Sequence, residues 1–214
     1  SFLREQQAAR FELLKIKVNA TEGLDLLREV ARALPGHALL VDGNETWPTA
    51  DDVLRFLEQA AALPGLRFQP SDPQPESLAS INAWCAGLPN VRPAMALDAA
   101  STGWPVASAD AVLCINMIHI APWSVAEGLI RRAAQVLPPG GPLLLYGPFF
   151  RHGQAPAPGN TAFDADLRAR DPAWGVRQLE DVAALAAGAG FGPPHVTPMP
   201  ANNLVVTFRC LPAP

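Results

Sequence analysis

Short apolar runs alternate with helical patterns of apolar residues along most of the chain. Apolar positions recur with helical spacing from Leu24 to Leu34, and Pro35 and Gly36 end that pattern. The run Ala38–Asp42 that follows is short, apolar and closed by an acid, as in a buried strand. The alternation continues, with strands predicted at Leu66–Pro70, Val91–Leu97, Ala109–Ile115 and Leu143–Tyr146 and helices at Pro73–Cys85 and Trp123–Leu137. This order predicts an α/β fold with a parallel sheet covered by helices on both faces.

The most apolar strands and the end of the chain define the rest of the predicted sheet. Ala111–Ile115 and Leu143–Tyr146 are almost continuously apolar, which is typical of central strands buried on both faces. His195–Met199 and Leu204–Phe208 resemble strands separated by the short connection Pro200–Asn203, so they predict a hairpin. We therefore predict a mostly parallel sheet that ends in a C-terminal antiparallel hairpin.

The alternation is interrupted at Arg151–Asn160. This polar segment contains glycines and prolines and is long enough to be a lid or a binding loop. Helical patterns at Thr161–Arg170 and Val176–Ala189 follow it. With 214 residues, 49% of them hydrophobic, the chain suffices for one sizeable core and is too short for two ordinary domains. We predict one domain over residues 1–214, with N-terminal helices in residues 1–35 and a lid at 151–160.

Charge and composition exclude several classes of partner. The formal net charge is -4 with acids and bases interspersed, so no basic surface for a nucleic-acid backbone is predicted. No apolar run approaches the roughly 20 residues that cross a bilayer, and Ser1–Lys17 lacks the order of a signal peptide. The three cysteines show no spacing for zinc or a redox pair, which fits a reducing compartment. We expect a cytoplasmic protein without a bound metal, a nucleic-acid partner or a membrane partner.

Several phrases in the chain resemble those of one protein family. They are Gln69-Pro70-Ser71-Asp72-Pro73, Asn116-Met117-Ile118-His119-Ile120-Ala121-Pro122-Trp123, Tyr146-Gly147-Pro148-Phe149, Asn160 with Phe163-Asp164, Asp171-Pro172 with Trp174-Gly175-Val176-Arg177, and Met199-Pro200-Ala201-Asn202-Asn203-Leu204. The phrases resemble a family of methyltransferase-like proteins found in bacteria and animals, and the element order resembles the class I S-adenosylmethionine (SAM)-dependent methyltransferases. The resemblance covers about Leu66 to Arg209. It implies a Rossmann-like fold whose sheet has seven strands, mostly parallel, and ends in the hairpin.

The same resemblance implies a SAM site, with S-adenosylhomocysteine (SAH) as product. The residues implied are Asp42, Gly43, Asn44, Asp72, Asp98 and Asn116. Asp72 would hydrogen-bond the ribose hydroxyls, and Asp98 would lie near the adenine. Asp72 before Pro73 equally suits a helix N-cap followed by a first-turn proline, and Asp98 equally suits an ordinary loop acid.

The first loop departs from the family pattern. In the family the first strand runs into a glycine-rich turn, whereas the stretch Asp42–Pro48 keeps only Gly43. Glycines let a backbone approach a cofactor closely, in conformations that other residues rarely adopt. Glu45 and Trp47 would therefore have to point away from a bound cofactor.

Candidates for the reacting centre follow the central strands. Asn116 and His119 follow Ala109–Ile115, and ligands in open α/β sheets bind beyond the carboxyl ends of strands. His119 suits a general base, an orienting hydrogen-bond donor or a packed histidine; we favour substrate contact, because methyl transfer depends mainly on alignment. Tyr146, which ends the next strand, suits a hydrogen bond to substrate or a half-buried ring. His119 and Tyr146 are the predicted catalytic residues.

Polar and aromatic side chains near the predicted lid suit recognition of a small polar substrate. The resemblance implies substrate binding by Trp123, Phe149, Asn160, Asp164, Arg168, Trp174, Arg177 and Asn202. The same set also suits a helix cap at Asn160, surface ion pairs, and a tight turn at Asn202-Asn203.

Methyl transfer from SAM to a small-molecule acceptor is the function that the resemblance implies. The altered first loop supports an alternative, in which the fold and the pocket persist while methyl transfer is lost or replaced by cyclase, lyase or isomerase chemistry. A third hypothesis, a non-catalytic partner of another protein, predicts an exposed apolar patch on a helix at Ser1–Val18.

Overall fold

The computed structural model of the protein describes residues 13–15, 38–40 and 67–212. The chain divides into two units, Ser1–Asp98 with Ala109–Leu113 and Ala99–Ser108 with Cys114–Pro214. The prediction of one domain over residues 1–214 stays a prediction. Each unit has its own strands and helices.

The first unit contains two pairs of parallel strands. Strand β1 (Leu13–Lys15) pairs with β2 (Ala38–Leu40), and β3 (Ser71–Asp72) pairs with β4 (Met95–Ala96). The strand predicted at Ala38–Asp42 is thus confirmed over the residues of β2. The helix expected over Ser1–Val18 is wrong at β1, because its residues pair with a strand more than twenty positions further along the chain.

Prolines set the limits of the β3 and β4 pairing. The strand predicted at Leu66–Pro70 is reduced to a single bridge between Phe68 and Val91, and regular pairing begins only at Ser71. Pro70 and Pro93 have no N–H to donate, so the ladder is interrupted there. The first helix of the described residues, α1 (Pro75–Trp84), begins two residues later than predicted, with a proline in its first turn.

The second unit is built on a four-stranded sheet. Its strands, in spatial order, are β5 (Val112–Ile115), β6 (Pro142–Gly147), β10 (Asn203–Arg209) and β9 (His195–Met199). Strand β10 pairs antiparallel with both of its neighbours. Every residue of β5 is buried, as its apolar sequence predicts, although the first two residues of β5 belong to the first unit. Helix α2 (Trp123–Val136) buries an apolar face that includes Ala126, Leu129, Ile130 and Ala133.

Two further helices flank a small parallel sheet. Strand β7 (Phe149–Phe150) pairs with β8 (Arg177–Gln178), and α3 (Pro158–Arg170) lies between them in the chain. The irregular part of the segment 151–160 therefore ends at Ala157, because Pro158 starts a helix. A lid role for this segment stays a prediction. Helix α4 (Leu179–Gly188) begins after the predicted Val176, because the two residues before it are paired with β7.

The described residues form one four-stranded sheet and three two-stranded sheets. The seven-stranded, mostly parallel sheet that the resemblance implies stays a prediction. In the described part of the chain, no helix is long and apolar enough to cross a bilayer. Across those same ranges, no group of three or more histidine, cysteine or acidic side chains gathers in a way that would hold a metal.

Candidate functional site

Asp72 and Asp98 lie at the same end of one pair of parallel strands. β3 ends at Asp72, and β4 ends at Ala96, its paired residue. The Leu97 N–H donates to the Asp72 carbonyl over 3.2 Å, so the chain leaves β4 beside Asp72 just before it reaches Asp98. Asp72 is half-buried and Asp98 is exposed. Both acids are therefore at the carboxyl end of the pair, the end at which α/β folds bind ligands.

The Asp72 carboxylate keeps capacity for a ligand. Its Oδ1 accepts the Gln74 N–H over 2.8 Å, whereas Oδ2 makes no hydrogen bond within the described residues. Helix α1 begins at Pro75, so Asp72 stands outside the position that directly precedes a helix. A half-exposed carboxylate with an available oxygen fits the donor hydroxyls of a ribose. Asp42, Gly43 and Asn44, the other predicted cofactor-binding residues of the first loop, lie outside the described residues.

Asn116 directly follows β5 in a strained conformation. Its φ of 50° is left-handed, a region that asparagine tolerates better than most residues. Its N–H donates to the Tyr146 carbonyl over 2.9 Å, which joins the start of the turn to β6. Asn116 is 8% exposed, and its Oδ1 is buried with no hydrogen-bond partner in the described part of the chain. A buried acceptor without a partner costs about 1–3 kcal/mol, so the surrounding structure must hold the side chain there.

Gly147, at the end of β6, leaves room for the side chains of the turn. A Cβ at this position would lie 2.6 Å from His119 Nε2 and 2.7 Å from Asn116 Oδ1. Its φ of 157° adds a backbone conformation that few other residues adopt. Only glycine allows both polar atoms to approach this strand end so closely.

His119 is enclosed by the protein. The residue is 0% exposed, and its ring packs edge-on against Phe149 with a centroid distance of 5.0 Å. Its Nδ1 accepts the Arg177 N–H over 3.3 Å, so a neutral ring carries its proton on Nε2. Its carbonyl accepts the Gly175 N–H over 2.9 Å. Of the three roles that the sequence left open, this geometry favours a packed histidine over substrate contact.

The Arg177 guanidinium is directed at main-chain carbonyls. Nε donates to the Ile118 carbonyl over 2.8 Å, and Nη2 donates to the carbonyls of Ala121 and Ala173 over 2.6 and 2.9 Å. The guanidinium carbon lies 5.6 Å from the centre of the Trp123 ring. Burial is the main cause that lowers the pKa of Arg177.

Both carboxylate oxygens of Asp164 accept hydrogen bonds from other residues of the protein. Oδ2 accepts Arg168 Nε over 2.8 Å, and Oδ1 accepts the Val176 N–H over 2.7 Å. The hydrogen bond to Asp164 is the main cause that raises the pKa of Arg168. A Cβ on Gly175 would lie 2.8 Å from Asp164 Oδ1 and 2.6 Å from Arg168 Nη2, so this close packing also depends on a glycine.

Asn160 and Asn202 form a separate pair. Asn160 is 8% exposed, and its Nδ2 donates to the Asn202 carbonyl over 3.1 Å. Asn202 and Ala201 both adopt left-handed φ values, of 59° and 56°. The turn predicted at Asn202-Asn203 therefore lies one residue earlier, at Ala201 and Asn202, and Asn203 is the first residue of β10. Asparagine tolerates positive φ, which suits Asn202.

The remaining predicted residues are Tyr146, Phe149 and Trp174. Tyr146 is half-buried in β6 opposite Val205, and Phe149 is buried. Trp174 is half-buried, and the Arg170 guanidinium lies 5.3 Å from the centre of its ring. Direct side-chain or main-chain contacts in the second unit join six predicted site residues, namely Asn116, His119, Trp123, Tyr146, Phe149 and Arg177. Asp164 and Arg168 contact each other.

Gly147 and Gly175 have roles that the sequence analysis did not assign. Gly147 ends β6, Gly175 stands just before β8, and both lie within phrases that carry the family resemblance. A glycine at the end of an apolar strand is a signal of close approach by another group. That signal was present for Gly147 in the phrase Tyr146-Gly147-Pro148.

Solved structures with a similar fold are methyltransferases. Human N-acetylserotonin methyltransferase, crystallised with SAM, is 15% identical, with 76% of this chain and 45% of that chain covered and a TM-score of 0.63. An O-methyltransferase family 2 protein from Planctomyces limnophilus in complex with apigenin is 17% identical, with 96% and 51% covered and a TM-score of 0.61. CalO1, a methyltransferase in calicheamicin biosynthesis with SAH bound, is 19% identical, with 91% and 54% covered and a TM-score of 0.63.

These likenesses show the fold of the chain. They confirm the prediction of a methyltransferase-like α/β fold, while the chain spans about half the length of each of these proteins. A family model matches residues 56–210, which covers both acids of the strand pair and the whole turn after β5. The chain therefore belongs to the family described as protein of unknown function, DUF938.

Proposed function

We propose that this protein transfers a methyl group from SAM to a small-molecule acceptor. The observation that carries the proposal is the placement of Asp72 and Asp98 at one carboxyl end of a parallel strand pair, in a chain with a methyltransferase fold. The structures of human N-acetylserotonin methyltransferase and CalO1 contain SAM and SAH, respectively, which supports the same cofactor here.

Asp72 and Asp98 would hold the adenosyl part of the cofactor. The available Oδ2 of Asp72 would accept the ribose hydroxyls, and the exposed Asp98 would lie beside the adenine. Bound SAM would supply an activated methyl carbon, to which the acceptor nucleophile would bond while the carbon–sulfur bond breaks and SAH leaves. The chain's own task is then to align the acceptor and exclude water from it.

Acceptor binding is proposed for groups of the second unit. Asn160 is buried, and its Oδ1 makes no hydrogen bond within the described residues, so it can accept a hydrogen bond from a hydroxyl or amine group. Tyr146, Trp123 and Trp174 are half-buried and can offer ring surface. The human enzyme is named after N-acetylserotonin, and the Planctomyces limnophilus protein is in complex with apigenin. Both are small molecules, which supports an acceptor of that size.

Transfer of radioactive label tests this function. The purified protein is incubated with SAM labelled in its methyl group and a small-molecule extract, and label is followed into low-molecular-weight products. Asp72→Ala is expected to weaken SAM binding roughly 10–100-fold, because it removes charge-assisted hydrogen bonds to the ribose. Asp98→Ala is expected to weaken it less, since Asp98 is exposed.

Asp166→Ala is the matched control, because Asp166 is an exposed acid on α3. Equal SAM affinities for the wild type and Asp72→Ala would remove the ribose assignment. SAM binding without label in any acceptor would instead indicate that methyl transfer has been lost or replaced.

A further inference from the structure

Arg177 connects two separate segments through their main chains. Its guanidinium donates to the carbonyls of Ile118 and Ala121 in one segment and of Ala173 in the other. These three carbonyls would otherwise need water or another donor, because short 3₁₀ turns leave main-chain groups without regular partners. A rigid guanidinium with several N–H groups suits such a set better than a flexible ammonium.

The main chain near Arg177 fastens the same turn a second time. The Arg177 N–H donates to His119 Nδ1 over 3.3 Å, and the Gly175 N–H donates to the His119 carbonyl over 2.9 Å. Arg177 is itself fixed by pairing with Phe149 in the small sheet. Next to it, Val176 is held by Asp164. Residues 116–121, called here the Asn116 turn, are thus held by residues 173–177 through both main-chain and side-chain bonds.

The Asn116 turn needs such support. Asn116 stands in a left-handed conformation with a buried oxygen that lacks a partner in the described ranges, and both features favour relaxation of the turn. Arg177 is half-buried and packs on the Trp123 ring, so its bonds to the turn are only partly exposed to water. Bonds from a charged donor to partly buried carbonyls are stronger than the same bonds in open water.

We propose that Arg177 is a positioning residue, which holds the Asn116 turn beside Gly147, instead of a residue that binds the substrate. This inference rests on the proposed function, because Trp123, which packs on Arg177, and Tyr146, whose carbonyl accepts the Asn116 N–H, are proposed to contact the acceptor. Arg177 acts through its contacts with the turn, because its charged guanidinium donates hydrogen bonds to main-chain carbonyls of the protein. An anionic acceptor group would have to displace these bonds in order to pair with it.

Hydrogen exchange of the wild-type protein and two variants tests the positioning role. Arg177→Met keeps an apolar stem over Trp123 and removes the donors to the three carbonyls. The amides of His119 and Ile120, which donate to the Asn116 carbonyl, and the amide of Gly175 report on the turn. Their exchange is expected to become about tenfold faster or more, while exchange in β9 and β10 stays unchanged.

Arg170→Met is the matched control, because Arg170 also stacks on a tryptophan ring and is exposed. It is expected to leave exchange in the Asn116 turn at the wild-type rate. Unchanged exchange of the turn in Arg177→Met would overturn the proposal, and so would equally faster exchange over the whole protein.

The Arg177→Lys variant distinguishes positioning of the turn from electrostatic binding of an anionic acceptor. An ammonium keeps the charge without the fork of donors, so the Lys variant is expected to resemble the Met variant, with label transfer slower by about tenfold or more. Label transfer close to wild type in the Lys variant and lost in the Met variant would show that Arg177 binds an anionic acceptor, and would overturn the proposal. If Arg177→Met does not fold, the exchange comparison is made on Arg177→Lys. Failure of the proposed function would appear separately, as absence of SAH binding by the wild type, and would leave the exchange result standing.

Discussion

Gly147 is the single position on which the packing of the Asn116 turn depends most directly. An added methyl group would come within 2.7 Å of polar atoms of both Asn116 and His119, and the backbone would keep a φ unfavourable to alanine. Gly147→Ala is expected to lower the free energy of unfolding by about 2–3 kcal/mol, from overpacking and backbone strain together. Urea unfolding measures this change, and a loss below about 0.5 kcal/mol would show that the turn can move aside freely.

The chemistry of individual residues could be predicted only in part. Asp72 and Asp98 were predicted from their places after strands, and the structure indeed puts them at one end of a strand pair. Substrate binding by Arg177 was implied by the family resemblance, and its main-chain partners are not visible in the sequence. Main-chain carbonyls have no sequence signature, so an arginine that uses them cannot be distinguished beforehand from one that binds a ligand.

Helix α2 packs closely against the chain at Ala99 and Ala100 through one glycine. A Cβ on Gly128 would lie 2.5 Å from Ala100 Cα and 2.7 Å from the Ala99 carbonyl oxygen, and both are main-chain atoms that cannot rotate away. Gly128→Ala is therefore expected to destabilise the protein by about 3 kcal/mol, although alanine favours helices.

The control for Gly128→Ala is another helical glycine. Gly159 lies in the first turn of α3, and no atom stands within 4 Å of the position that an alanine Cβ would take there. Gly159→Ala is expected to stabilise the protein by about 0.5 kcal/mol, from helix propensity alone. Thermal unfolding of the two variants side by side gives the comparison, and equal shifts would contradict close packing at Gly128.

Helices and strands were predicted well where local pattern and burial agree. Helix α2 begins at the predicted Trp123, and β9 has its predicted limits, because apolar periodicity and turn residues point the same way there. Boundaries moved where pairing with a distant strand decided the outcome, as at β8, whose two residues were assigned to a helix. Prolines also moved boundaries, because a missing N–H interrupts a ladder and a first-turn proline starts a helix.

The fold of the whole chain was predicted more fully than its activity. Element order and apolar pattern predict an α/β fold, since many sequences satisfy the same packing, and the family resemblance implies its methyltransferase-like form. Activity depends on a few atoms whose positions come from tertiary contacts, such as the available Oδ2 of Asp72 and the buried Oδ1 of Asn116. A fold shared with methyltransferases supports the proposed reaction, but only ligand binding and methyl transfer measured at the site can establish the activity.

Titration calorimetry of the full chain with SAH tests the central claim, that this fold still binds an adenosyl ligand. The account predicts saturable, one-to-one binding in the micromolar range for the wild type. It also predicts much weaker binding for Asp72→Ala and wild-type binding for Asp166→Ala. Absence of binding heat at millimolar SAH, with no accompanying rise in the melting temperature of the wild type, would contradict the account.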